Sequence, residues 1–262
     1  MRKKESIKRF LLLSTILTIH LLISACTSNV EVPSTTESQP EEVVATIEVT
    51  TESPSTARQF LEENIEVWGL GKKLIDYVSN DRAYDWYIDQ GNTGSHSGAN
   101  CGPSSVAMAA KWVDESFDKT AEDARKKFRP LGGWWYGDDI EGCLDYFKVD
   151  YTLIYLENAY TLMSIIDSGK IAIVNNSMSY IPLVTGETSR VNRFYTFDSG
   201  HYFIVKGYVK VDTKTYFEVY DPNNWDMTYS DGTEMGKNRY YDSESLMKSI
   251  ENWYPYAVMI NP

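Results

Sequence analysis

Cysteine and histidine are scarce in this chain, with three of each among 262 residues. So few cysteines exclude a scaffold built on disulfides. The histidines show no close Cys/His spacing, so no zinc module is expected, and no cofactor or metal. Basic clusters are missing as well. Beyond residue 25 there are 20 Lys and Arg against 36 Asp and Glu, a net charge of −16. A surface of that sign opposes nucleic acid, anionic lipid and anionic wall polymers, so no nucleic-acid partner is expected. Nor does any apolar run approach the roughly 20 residues of a spanning helix. The run from Phe10 to Ile23 has 14 residues, broken by Ser14, Thr15, Thr18 and His20.

That run follows Arg2, Lys3, Lys4, Lys8 and Arg9 and ends in Ile23-Ser24-Ala25-Cys26. A basic start, a short apolar core and small residues at its end read as a secretory signal over residues 1–25. The ending resembles the lipobox of bacterial lipoproteins. The resemblance implies cleavage before Cys26, a lipid on that residue, and an extracytoplasmic protein held to the membrane by that lipid alone. An ordinary secreted protein with a chance cysteine is the alternative. Residues 26–57 are rich in Thr, Ser, Glu and Pro with almost no aromatics, too polar to bury a core, and read as a disordered tether. Residues 58–262 then form one domain, with no internal repeat and no second linker.

Along the domain the period changes. Leu61, Ile65 and Trp68 form a helical face, Gly69 and Gly71 interrupt it, and Leu74, Ile75 and Val78 resume it. A helix is expected to open at Cys101, with Val106, Ala109, Ala110 and Val113 on its buried face, and further helices at about 120–128, 138–147 and 158–168. After these come β-rich runs at Tyr151–Leu156, Ile171–Val174, Tyr202–Val209 and Thr215–Tyr220, a helix around Ser243–Ile250 and a closing strand at Tyr256–Ile260. Helices first and strands afterwards predict an α+β domain, a helical part packed on an antiparallel sheet. The segment Ser177–Ser199 reads as a protruding hairpin with halves Tyr180–Val184 and Val191–Phe197.

Cys143 falls in a helical stripe with Ile140, Leu144 and Phe147, the place of a core cysteine. Cys101 has no such explanation. It opens Cys101-Gly102-Pro103-Ser104-Ser105-Val106, just after a loop rich in Gly, Asn and Ser. A helix N-terminus favours a thiolate, because unpaired N–H groups and the macrodipole concentrate positive charge there. Taken alone, it also fits a small buried cysteine at the start of a core helix. His201 starts a hydrophobic strand in Gly200-His201-Tyr202-Phe203, where a rigid element holds a group able to exchange protons near neutrality. Asp221, in Tyr220-Asp221-Pro222-Asn223, fits either the partner that orients such a histidine or an ordinary turn starter. His96, in the flexible loop before Cys101, is the rival base. Gln90 carries an amide able to donate to an oxyanion beside the Cys101 N–H. Gly132-Gly133-Trp134-Trp135-Tyr136-Gly137 either lines a cleft or is core.

Gln90, Cys101, His201 and Asp221, in that order, resemble the papain-like cysteine peptidases, and more closely the branch named for peptidases that cut bacteriocin leaders after a double glycine. The motifs are Asn100 to Met108, Gly200 to Tyr208, and Val219-Tyr220-Asp221-Pro222-Asn223, and the resemblance covers residues 84–262. It implies a papain-like fold, Cys101 as nucleophile, His201 as base, Asp221 as its orienter, Gln90 in the oxyanion hole, and a peptide or protein substrate. The leader peptidases are cytosolic domains fused to transporters. This chain is similar rather to their free-standing, secreted relatives, so the double-glycine substrate does not carry over. A catalytically silent binding module and a cell-wall peptide hydrolase or transpeptidase are the other readings.

Overall fold

The computed structural model describes residues 54–262. The expected signal segment 1–25, Cys26 and most of the tether therefore lie outside the described residues. The first helix, α1 (Pro54–Asn64), starts within the stretch 26–57, so the last residues of the expected tether are helical.

Seven strands make one antiparallel sheet. They are β1 (Leu74–Ser79), β2 (Tyr151–Tyr155), β3 (Ile171–Ser177), β4 (Gly200–Val211), β5 (Lys214–Tyr220), β6 (Arg239–Asp242) and β7 (Tyr256–Ile260). The order is β2-β7-β3-β4-β5-β6, and β1 joins the β3 side of β4 beyond the end of β3. The long strand β4 is thus the spine, carrying β3 and β1 on one edge and β5 on the other.

The fold is the expected α+β one, and helices cover both faces of its antiparallel sheet. One face carries Ile171, Ile173, Tyr202, Ile204, Tyr220, Val258 and Ile260 against α2 (Cys101–Val113) and α4 (Gly137–Phe147). The residues between them in sequence, such as Ala172, Val174, Phe203, Val205 and Ala257, meet α5 (Ala159–Asp167) and α6 (Ser243–Glu251). This is the period-two alternation of a sheet with two buried faces. α2 is buried at every residue from Cys101 to Ala110, and α3 (Ala121–Lys127) packs beside it, so this helix is central rather than amphipathic.

Two expectations are corrected. Leu74, Ile75 and Val78 do not resume a helix; they form β1, where Leu74–Ser79 pairs with Val211–Gly207. The β-branched and aromatic residues of Leu-Ile-Asp-Tyr-Val suit a strand, and the open edge of β4 supplies its hydrogen bonds. The segment Ser177–Ser199 does not form a protruding hairpin. The expected halves meet at a single parallel bridge, Leu183 with Arg193, and the second half starts against β6, where Val191 bridges Tyr240. The cause is Arg239, buried, whose guanidinium donates to the Ser189, Val191 and Asn192 carbonyls, while Asn192 N donates to the Tyr240 carbonyl. A buried cation that satisfies three carbonyls pulls the chain onto the sheet.

A buried ion network anchors the approach to α2. Lys206 Nζ meets Asp81 (2.8 Å) and Glu218 (3.1 Å), and Trp86 Nε1 donates to Asp81 (2.7 Å). Gly207, at a β-bulge of β4, makes room for this crossing: a Cβ there would lie 2.6 Å from the Val78 carbonyl and 2.7 Å from the Glu218 carboxylate. Gly207→Ala is expected to cost about 1–3 kcal/mol of stability, read as a lower midpoint in chemical denaturation; an unchanged midpoint would contradict this packing.

Candidate active site

α2 begins at a thiol whose surroundings are fixed from three sides. Asn100, before it, is fully buried: Nδ2 donates to the Thr93 carbonyl (3.1 Å) and hydroxyl (2.9 Å), and Oδ1 accepts from Arg125 Nε (2.8 Å). Cys101 itself is 5 % exposed and shares one cleft with His201. His201 is the second residue of β4, paired with Asn176 of β3, whose side chain donates back to the His201 carbonyl (3.1 Å). Its Nε2 lies 2.7 Å from Asp221 Oδ1, which leaves Nδ1 for the thiol.

Asp221 has no exposed surface, and its carboxylate is saturated. Oδ1 takes the imidazole and the Asn223 N–H (2.9 Å); Oδ2 takes the hydroxyls of Tyr195 (2.7 Å) and Tyr241. The turn-starter reading and the histidine-partner reading both hold, because the Asn223 bond is the Asx turn. Around it, Tyr87 donates to the Asp221 carbonyl (2.7 Å) and Gln90 N to the Pro222 carbonyl (2.8 Å).

The charges follow from this geometry. Burial by itself raises the Cys101 thiol, but His201 and the N–H groups of Tyr202 and Gly102 outweigh it and hold the thiol below its ordinary value. Burial by itself lowers His201, yet Asp221 and the facing cysteine turn the net shift upward. For Asp221, burial opposes the charge, while His201, Tyr241 and the Asn223 N–H keep the carboxyl below its usual range. All three shifts act in one direction, toward thiolate, imidazolium and carboxylate. Cys143, fully buried on α4 with no such partner, is pushed up to about 12 by burial alone. Both cysteines are free thiols.

Cys101, His201 and Gln90 line one cleft of about 250 Å³, with Trp134, Tyr195, Phe197, Asn223 and Trp225. The aromatic stretch of 132–137 divides: Trp134 stands in the cleft wall, its ring 6.2 Å from Phe197, while Trp135 is core. Gln90 is buried; Nε2 donates to the Ser97 carbonyl (3.2 Å) and Oε1 has no partner. Its second amide N–H and the Cys101 N–H, which has no intrahelical acceptor, are the donors available beside the thiol. His96 does not join them. It packs on Gly132, where a Cβ would come within 2.8 Å of its ring. Among the described residues no group of three or more His, Cys, Asp and Glu is placed to hold a metal ion.

Sequence reasoning missed Tyr195, Tyr241 and Arg125. Tyr195 arrives on the segment held by Arg239, and Tyr241 on β6, a four-residue edge strand with charged ends and no alternation to mark it.

A cysteine at a helix mouth, facing a histidine on the central strand with a carboxylate behind it, defines the class: the papain-like cysteine peptidases. Residues 84–249 match the model of the Peptidase_C39-like family, and the chain belongs to that family. Among solved structures it is similar to one described as a C39-like peptidase from Bacillus anthracis, at 12% identity and a TM-score of 0.49, over 72% of this chain and 98% of that one. No curated protein matches the chain.

Two outcomes are expected of the thiols and their supports. Iodoacetamide at pH 7 labels Cys101 and leaves Cys143 unmodified in the folded protein, as peptide mapping would show. Tyr241→Phe, which removes one donor from the buried carboxylate, costs about 1–3 kcal/mol of stability and raises the Cys101 pKa by roughly half to one unit. An unchanged alkylation profile would disconnect that hydroxyl from the thiol.

Proposed function

We propose that the protein is a cysteine peptidase-like hydrolase that cleaves peptide or amide bonds with a Cys101–His201–Asp221 triad, outside the cytoplasm and tethered by a lipid on Cys26. The observation that carries the reading is the buried 2.7 Å contact between His201 and Asp221, at the cleft that Cys101 and His201 line together.

The Cys101 thiolate attacks the carbonyl carbon, and the oxygen takes the negative charge. The Cys101 N–H and the Gln90 amide stabilise that oxyanion. The tetrahedral adduct collapses as His201 gives its proton to the leaving amine, which leaves an acyl-thioester on Cys101. A water then attacks the thioester carbonyl, its proton passing to His201. Expulsion of the thiolate releases the acid and restores the ion pair. Asp221 keeps Nδ1 aimed at the thiol throughout and favours the imidazolium.

Supporting a substrate with exposed peptide bonds, the cleft is open on its Trp134 and Trp225 sides, both about half exposed. No helix among the described residues is long and apolar enough to cross a membrane; attachment through Cys26 is part of the proposal. The acidic chain disfavours anionic substrates. A binding module would keep its cellular role in Cys101→Ala; a wall-peptide hydrolase would yield muropeptides and leave proteins intact.

Cys101→Ala and His201→Ala are expected to abolish cleavage of a mixed peptide library followed by mass spectrometry. Asp221→Asn lowers kcat by roughly 10³-fold or more. The rate falls on the acid side as the thiolate takes a proton, and on the alkaline side as His201, its pKa raised, loses the proton the leaving group needs. Full turnover by the Cys101→Ala protein overturns the reading. For the anchor, labelled palmitate fed to an expressing bacterium is expected to mark the wild-type protein and not Cys26→Ser; equal labelling would reject that site.

A further inference from the structure

Arg125 is a buried cation without an anion. It stands on α3 with 2% of its surface exposed, and its guanidinium makes four contacts: Asn100 Oδ1 (2.8 Å) and the carbonyls of Ala99 (2.6 Å), Gly133 (3.0 Å) and Arg129 (3.4 Å). Every acceptor is neutral. No carboxylate among the described residues forms an ion pair with it. Asp139, across from it on α4, is taken by Arg129 Nε (2.6 Å) and by the Tyr136 N–H at the start of its own helix. Arg239 is likewise buried against neutral oxygens, so burial alone does not require an anion; what sets Arg125 apart is its place in the fold.

Its contacts set it beside the start of α2. Two of the four are to Ala99 and Asn100, the residues that deliver the chain to Cys101, and a third is to Gly133, next to Trp134 of the cleft wall. The guanidinium is thus held by the two residues that directly precede the thiol, and the cysteine's charge acts on it. His201 already serves Asp221. We infer that Arg125 is a fixed positive charge for the Cys101 thiolate, so that the nucleophile is ionised by two cations, one of which never gives up its proton. This rests on the proposed thiolate reading and extends it. His201 must cycle between protonation states during turnover, whereas an arginine stays charged throughout. When the imidazolium discharges, Arg125 still keeps the departing thiolate a good leaving group. The same fork fixes both banks of the cleft, because one guanidinium holds the residues before the thiol and the residue before Trp134.

Charge and scaffold make different forecasts for the titration of Cys101, followed by iodoacetamide rate against pH. Arg125→Gln removes the charge and is expected to raise the Cys101 pKa by about one unit, a roughly tenfold slower reaction on the acid side. Arg125→Lys keeps the charge, loses the fork, and is expected to titrate close to wild type. If both variants shift equally, Arg125 is a scaffold only; if Arg125→Gln superimposes on wild type, it does nothing to the thiol. Either result overturns the inference. Should Arg125→Gln fail to fold, Asn100→Asp sets a carboxylate against Arg125 Nε. An upward shift is then expected, and an unchanged profile again overturns the inference. His201→Ala serves as the separate control: a profile it leaves unaltered sinks the ion-pair reading itself, whatever Arg125 does.

Discussion

The hydrogen bond between His201 and Asp221 is the constraint on which the rest depends. Both groups are essentially out of water, at 2% and 0% exposure. A carboxylate buried alone would take up a proton, and an imidazole buried alone would lose one. Together they hold each other charged, and the imidazolium in turn lowers the thiol of Cys101. Each ionisation depends on the next, so the site works as one coupled unit rather than as three residues with separate pKa values.

Much of the surrounding architecture serves that pair. Strand β4 carries His201 and lies at the centre of the sheet, where β3 and β5 hold it from both edges. Asp221 follows the end of β5, fixed by the hydroxyls of Tyr195 and Tyr241 and by its own Asx turn. Buried cations arrange the segments that reach it. Lys206 secures the stretch from Asp81 to Trp86, which leads to Tyr87 and Gln90; Arg239 lays down the stretch that brings Tyr195; Arg125 sets the start of α2. These three basic residues sit inside an acidic protein, each meeting carbonyls or carboxylates that would otherwise be unsatisfied.

The sequence made the local features legible and left the distant ones hidden. Cys101 was visible because a Gly-Pro start marks a helix mouth, and His201 because a hydrophobic run follows it. The helices expected at about 120–128, 138–147 and 158–168 stand at 121–127, 137–147 and 159–167. β1 was misread because Leu74, Ile75 and Val78 fit either period over so short a stretch; only the free edge of β4 decides between them. The course of 177–199 depends on Arg239, some 40 residues on, and no local pattern announces a side chain that captures remote carbonyls. The tyrosines on Asp221 were hidden for the same reason: nineteen tyrosines are scattered along the chain, and only the fold selects these.

The central claim is that Asp221 and the thiolate keep His201 charged at neutral pH inside the protein. Nitrogen-15 NMR of the imidazoles tests it directly, with His201 assigned by its loss in His201→Gln. The account predicts two protonated ring nitrogens at pH 7, persisting well above the ordinary histidine pKa of about 6.5, and a return toward that ordinary value in Asp221→Asn. A single protonated nitrogen at pH 7, titrating near 6.5 and indifferent to Asp221, would contradict it.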